Sequence, residues 1–346
     1  MAYTTINKSS DYFNTKLYTG NGTTDTAITG VGFQPDFFWG KSRTNNGSHF
    51  LVNIVSGVGK HLYSDTTSAE TTFAEGVKSF NSDGFTIGTA GDINTNSQNY
   101  VAWNWLANGA GVSNTDGSIS STVSASTTSG FSIVSYTGTG ANATVGHGLG
   151  VAPSMVITKR LSSSDDWIVW QKGLTNPASY LYLNSTSGEM GSVPAYQNIT
   201  PTATLLYPGT DGRTNGNGQT YISYCFADVK GYSKFGTYTG NGSTDGTFIY
   251  TGFKPAFVMA KNIAAGGEWS MCDNRRGTAN TANGEFLFAQ NSNALNAAVN
   301  NWDFVSNGLK ARAGYAAHNT SGATYIYMAF AEAPLVGSNG VTAKAR

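Results

Sequence analysis

Apolar residues along this chain fall in short runs separated by clusters of Gly, Asn, Ser and Thr, a pattern that predicts strands joined by turns. Three of the runs resemble one another. Tyr100-Val101-Ala102-Trp103-Asn104-Trp105 is followed by Tyr221-Ile222-Ser223-Tyr224-Cys225-Phe226 and then by Tyr325-Ile326-Tyr327-Met328-Ala329-Phe330. With period-two alternation, Val101, Trp103 and Trp105 are not expected all to point inward, so this strand reads as covered on both faces. A second set, Leu62-Tyr63, Leu181-Tyr182-Leu183 and Phe286-Leu287-Phe288, leads each time into a polar turn.

The resemblance extends to a repeat. Tyr18-Thr19-Gly20-Asn21-Gly22 returns as Tyr136-Thr137-Gly138-Thr139-Gly140 and as Tyr238-Thr239-Gly240-Asn241-Gly242. Pro35, Pro153 and Pro255 each stand 17 positions after their copy's tyrosine, and Lys41, Lys159 and Lys261 each stand 23 after it. Between these anchors runs an apolar strand, Phe37-Phe38-Trp39, Met155-Val156-Ile157 or Phe257-Val258-Met259, set up by the preceding X-Pro step. At offset 31 the second and third copies carry Trp167 and Trp269, whereas the first has His49 followed by Phe50. Gly84 and Gly308 mark hairpin turns in copies one and three.

About 100 residues per copy is enough to bury a core, so the predicted fold is all-β: three tandem antiparallel β-sandwich modules of jelly-roll or lectin-like type. The predicted boundaries are 1–108, 131–230 and 231–333, with 109–130 a Gly/Ser/Thr-rich linker or an arm that pairs with a neighbour, and 334–346 a tail. Composition agrees: 43 glycines, 12% aromatic and only 12% charged residues favour sheets and turns over exposed helices.

The charges balance, 20 basic against 20 acidic, so no global field recruits nucleic acid or an anionic membrane. Neither a signal peptide nor a membrane-spanning stretch is legible, which places synthesis in a cytoplasm. Cys225 and Cys272 read as buried free thiols. Candidate chemistry is sparse. His49, His61, His147 and His318 lack metal-site spacing, and the adjacent pair Asp165-Asp166 would point to opposite faces of a strand, unlike the two carboxylates of a glycosidase. Asp92-Ile93-Asn94-Thr95-Asn96 imitates the start of a calcium loop but has Ser97 at the sixth position and Trp103 at the twelfth, where Gly and Glu belong. No cofactor, no metal and no catalytic residue is expected. The remaining candidates are Lys41, Lys159 and Lys261 beside Trp167 and Trp269, as ligand-binding residues for an anionic sugar. The opposing reading is that each lysine closes a strand end with its stem over an aromatic ring. Trp39 and Trp302 are weighed likewise as sugar-stacking or core residues.

The segments YTGNG (18–22), GFQPDFFWGK (32–41), FNSDGFTIG (80–88) and YVAWNWLANG (100–109) resemble the repeat signature of tail-fibre or lectin-like structural proteins of marine tailed phages. The second copy departs from it, with Leu149-Gly150-Val151-Ala152-Pro153 in place of Gly-Phe-x-Pro. The resemblance implies a virion location and a binding or scaffold role without catalysis. It suggests a tail-fibre or adhesin component contacting host glycan or protein, or alternatively a capsid decoration protein. The partners it implies are other virion proteins and copies of the same chain in a symmetric oligomer.

Overall fold

In the computed structural model, the described residues are 4–191, 194–264, 266–276, 284–299, 302–312 and 316–336. They form 27 strands, two four-residue α-helices and one turn of 3-10 helix, and all strand pairing between named strands is antiparallel. Among them no helix is long and apolar enough to cross a membrane.

The first stretch contains β1 (Phe13–Thr19), β2 (Thr26–Thr29), β3 (Phe37–Ser42), β4 (Phe50–Asn53), β5 (Lys60–Tyr63), β6 (Thr71–Thr72), β7 (Val77–Asn81), β8 (Gly84–Ile87), helix α1 (Gly91–Asn94) and β9 (Asn99–Trp105). The second contains β10 (Val112–Asn114), β11 (Ser121–Ser126), β12 (Phe131–Thr137), β13 (Val145–Gly146), β14 (Met155–Arg160), β15 (Ile168–Gln171), β16 (Leu181–Tyr182), β17 (Leu205–Leu206), helix α2 (Gly212–Asn215) and β18 (Thr220–Phe226). The third contains β19 (Ser233–Thr239), β20 (Phe248–Tyr250), β21 (Phe253–Asn262), β22 (Trp269–Asp273), β23 (Gly284–Phe288), β24 (Asn296–Val299), β25 (Trp302–Val305), β26 (Gly308–Ala311) and β27 (Thr324–Pro334).

The three large sheets share one order. It reads β1-β9-β3-β4-β5-β6, then β12-β18-β14-β15-β16, then β19-β27-β21-β22-β23-β24. In each, the last strand inserts between the first and the X-Pro strand. A smaller sheet covers the outer face: β2-β8-β7 in the first stretch, β13-β17 in the second and β20-β26-β25 in the third. The residues after the three prolines behave alike, since the carbonyls of Asp36, Ser154 and Ala256 accept from the amides of Ile54, Lys172 and Asn274.

The signature turn has a physical reason. Tyr18, Tyr136 and Tyr238 stack on Tyr100, Tyr221 and Tyr325 with ring centroids 4.8 to 5.2 Å apart. Their hydroxyls donate to the carbonyls of Ile93, Thr214 and His318. Asn94, Asn215 and Asn319, all buried, accept through Oδ1 from the amides of Asn21, Thr139 and Asn241. A methyl group at Gly20, Gly138 or Gly240 would stand 2.3 to 2.5 Å from a backbone oxygen, which is why no side chain is found there. The calcium-like segment is thereby explained: Asn94 ends α1 and clamps this turn.

Two expectations are corrected. Residues 109–130 are not a free linker: β10 and β11 pair with each other, and β11 pairs with β12 from Ser121↔Tyr136 to Ser126↔Phe131, so this stretch extends the second sheet. Ser121 and Val123 are buried on the face that Ala125 shares, Thr122 on the other face is exposed, and Ser124 on that other face is covered where it accepts from the Asn108 amide, so small residues hide the pattern. Pro334 likewise belongs to β27, while most of the predicted tail, 337–346, lies outside the described residues.

The third correction concerns the core. Val101, Trp103 and Trp105 do share one face, because positions two apart on a strand point the same way, and that face meets the other two sheets rather than a private interior. The inner faces form one cluster in three layers: Val101 with Ile222 and Ile326, Trp103 with Tyr224 and Met328, and Trp105 with Phe226 and Phe330. The last layer is a closed triangle of rings, with centroids 6.3, 6.0 and 5.7 Å apart. Outside it, three separate clusters fill the space between each large sheet and its small one. The sheets thus surround a common pseudo-threefold axis. The YTGNG-type turns lie at one end of it, and the crossings between sheets lie at the other, where Ile6, Tyr12 and Tyr232 cover the core.

Candidate functional site

Lys41, Lys159 and Lys261 end β3, β14 and β21 at the turn end, and each is fully buried. Their ammonium groups reach across to the neighbouring sheet. Lys41 Nζ donates to Ser292 O at 3.3 Å, Lys159 Nζ to Thr67 O at 3.1 Å and Lys261 Nζ to Thr186 O at 3.2 Å. The same three carbonyls also accept from the amides of Gly47, Asp165 and Gly267 at 2.8 to 2.9 Å. Each lysine also donates to the carbonyl of the next residue, Ser42, Arg160 or Asn262. Burial lowers each lysine to about 8.

Trp167 and Trp269 follow the same circuit. Their indole Nε1 groups donate to Tyr63 O at 2.9 Å and Tyr182 O at 2.8 Å. In the first copy His49 does this with a different ring. Trp39 Nε1 donates to His49 Nδ1 at 2.9 Å, so Nε2 carries the hydrogen and donates to Phe288 O at 3.0 Å. Burial holds His49 well below its ordinary value, with Lys41 adding to the effect. Sheet one thereby grips sheet three, sheet two grips sheet one, and sheet three grips sheet two, a closed heterologous ring within one chain.

The expected ligand-binding role of Lys41, Lys159, Lys261, Trp167 and Trp269 is therefore overturned. A sugar cannot reach side chains that are fully or almost fully buried, and their donors already hold backbone carbonyls. Each lysine instead ties the end of its own strand to a carbonyl of the neighbouring sheet. Trp39 and Trp302 are buried in the same way.

A second circuit runs in the opposite direction inside the core. Asn53, Gln171 and Asp273 occupy offset 35 of their copies. Asn53 Nδ2 donates to Tyr224 Oη at 3.1 Å, and Asp273 Oδ2 accepts from Trp103 Nε1 at 2.9 Å. Gln171 Nε2 donates to Gly236 O of the third sheet at 3.2 Å; Met328, at the position that Trp103 and Tyr224 hold in their copies, has no N–H or O–H to offer. Asp273 is paired with Arg276, whose guanidinium lies 5.2 Å from the Trp103 ring centre, and both side chains are wholly buried.

The other candidates are structural too. All four histidines are buried. Asp165 pairs with Arg160 at 3.2 Å and Asp166 accepts from Asn184 at 2.8 Å. Cys225 is pushed up to about 12 by burial, which keeps its thiol protonated. Among the described residues no group of three His, Cys, Asp or Glu could hold a metal ion.

The surface carries several grooves. One of about 550 Å³ at the crossing end is lined by Asp228, Lys230, Lys234 and Tyr250 among others. One of about 500 Å³ adjoins it, sharing Asp228 and Lys230 and including Val151. Tyr250 is 56% exposed and Val151 49%. These residues escaped the repeat comparison because they lie where the copies differ. By sheet register Tyr250 faces Gly308 as Thr29 faces Gly84, so a threonine in one copy corresponds to an exposed tyrosine in another.

Fold and surface together define an all-β protein whose polar side chains of chemical interest serve internal architecture. The chain belongs to the DUF7483 family, a domain of unknown function, whose model matches residues 8–334 and so spans all three sheets. A search of curated proteins gives no match.

Proposed function

We propose that this protein is a non-catalytic structural component of a phage virion, of the tail-fibre or adhesin type, which presents a rigid ring to a host-surface glycan or protein. The observation that carries the non-catalytic part is the burial of the lysines, tryptophans and histidines in inter-sheet contacts. What remains for the outside is shape, turn loops and grooves, the equipment of a binding or scaffold protein. The virion part is supported by the resemblance of segments 18–22, 32–41, 80–88 and 100–109 to phage tail-fibre or lectin-like repeats.

The closed pseudo-threefold ring favours a second reading, a capsid decoration protein seated at a local threefold position of a head lattice. Antibody labelling of intact virions separates the two. Label on the tail at a few dozen copies or fewer supports the first, and hundreds of copies on the head support the second. Absence from purified virions removes both.

A further inference from the structure

We propose that Asn215-Gly216 is a latent self-modification site, held unreactive by the closed turn of the second copy, and that its conversion to aspartate or isoaspartate is a one-way latch on that turn. The site is a property of the chain itself, independent of where the protein works.

The copies differ at the residue after the clamping asparagine: Thr95 follows Asn94 and Thr320 follows Asn319, but Gly216 follows Asn215. In every copy the amide of that next residue donates to a tyrosine hydroxyl, Thr95 N to Tyr100 Oη at 2.8 Å, Gly216 N to Tyr221 Oη at 2.6 Å and Thr320 N to Tyr325 Oη at 2.9 Å. The bond is common, but what it restrains is not. A threonine side chain shields its own nitrogen, whereas glycine leaves that nitrogen open to the carboxamide before it. Once its proton has passed to a solvent base, the Gly216 nitrogen can attack Asn215 Cγ, the Cγ–Nδ2 bond breaks and ammonia leaves. Water then opens the cyclic imide at either carbonyl and leaves aspartate or isoaspartate, so that water enters and ammonia departs with no other reactant.

In the closed turn both reacting groups are held. Asn215 is wholly buried; its Oδ1 accepts from the Thr139 amide at 2.8 Å, and its Nδ2 donates to Ala141 O at 2.6 Å and Gly209 O at 2.8 Å. The Gly216 hydrogen is held by Tyr221, whose own hydroxyl donates to Gly212 O. Thr139 and Ala141 belong to the glycine turn and its exit, so opening that turn releases the carboxamide. The products do not fit back. A carboxylate at 215 still accepts from Thr139 but sets an oxygen against the Ala141 and Gly209 carbonyls, in a buried place. Isoaspartate adds a methylene to the main chain where even a β-carbon on Gly138 would stand 2.5 Å from Gly216 O. Asn21-Gly22 is the contrast: Asn21 is exposed and accepts through Oδ1 from Thr23 and Thr26, a role that a carboxylate keeps.

The test is peptide mass spectrometry of the full chain after incubation at mildly alkaline pH, folded or in urea, reading the exchange of NH2 for OH at Asn215. Conversion should be about tenfold or more slower in the folded chain than in urea. After repeated heating and cooling, the share of chains that fail to refold should match the share converted at Asn215. Refolded chains should carry unconverted Asn215, while conversion at Asn21 is found among them. Gly216→Thr gives the second copy the residue of the other two; it should fold, show no conversion at Asn215 and lose several-fold less protein per cycle. Equal rates in the folded chain and in urea overturn the lock. Chains converted at Asn215 that refold with unchanged melting temperature, or a Gly216→Thr chain lost as fast as the wild type, overturn the latch.

Discussion

The inner and outer faces of the three sheets are built from the same strands yet do different work. On the inner face, residues from all three copies interleave in layers, and the ring of Trp105, Phe226 and Phe330 contains one member from each. On the outer face each sheet closes against its own small sheet, with no member shared among the three clusters. Repetition alone therefore does not make separable units. Whether copies behave as beads or as one body depends on which face carries the larger shared interior.

That contrast can be broken most forcefully at the axis. Trp105→Ala removes a ring in contact with Phe13, Phe37, Phe226, Phe257 and Phe330, and should destabilise the chain by about 3–5 kcal/mol. Amide exchange should quicken in all three sheets together. Phe85→Ala, in the outer cluster of the first stretch, should cost a similar amount but speed exchange chiefly in β2, β7 and β8. Loss of protection confined to the first sheet in Trp105→Ala would show that the inner face does not couple the copies.

A smaller effect is expected at the turns. Gly240→Ala places a methyl group 2.3 Å from the Thr320 carbonyl oxygen and should cost about 1–3 kcal/mol in chemical denaturation.

The lysine circuit should be visible as a pH dependence. Each lysine titrates at about 8 when folded and near its ordinary 10.5 when unfolded. Between these values the unfolded chain holds protons that the folded one has released, so the lysines make stability rise with pH from about 8 towards 10. Above 10 the buried tyrosines, raised by desolvation, oppose the rise. Replacing all three lysines by Met should flatten the slope between pH 8 and 10, as followed by denaturant midpoints.

The smallest effect separates the first copy from the others. His49 is held neutral, so its contribution is present above its ordinary value of 6.5 and is lost as pH falls below it. His49→Gln should cost about 1 kcal/mol at pH 7 and reduce the acid slope, while His61 and His147, lowered for the same reason, keep part of it.

Much of the fold was legible in the sequence because its anchors are backbone constraints. Glycines that tolerate no methyl group, prolines that fix a strand entry and stacked tyrosines recur at fixed offsets whatever packs around them. The inner face was harder to read. An apolar strand says that both of its sides are covered, but Trp103 gives no sign of whether its neighbour comes from its own copy or another. Residues 109–130 misled for a related reason: Ser, Thr and Ala in a strand resemble a linker until the partner β12 is known. The lysines are legible by their spacing but their role is not, since a recurring charged residue looks the same in sequence whether it meets solvent or a carbonyl. Tyr250 carries no repeat signal, because register sets it opposite Gly308 where the first copy sets Thr29 opposite Gly84.

Thr4 and Pro334 both abut Gly231, so the start and finish of the ring and its last crossing gather at a single pole. Gly231 has a φ of +80°, and a side chain there would press on Thr4 and Pro334 at once, so one glycine lets the flanks of the first and last described strands close against the crossing between the second and third sheets.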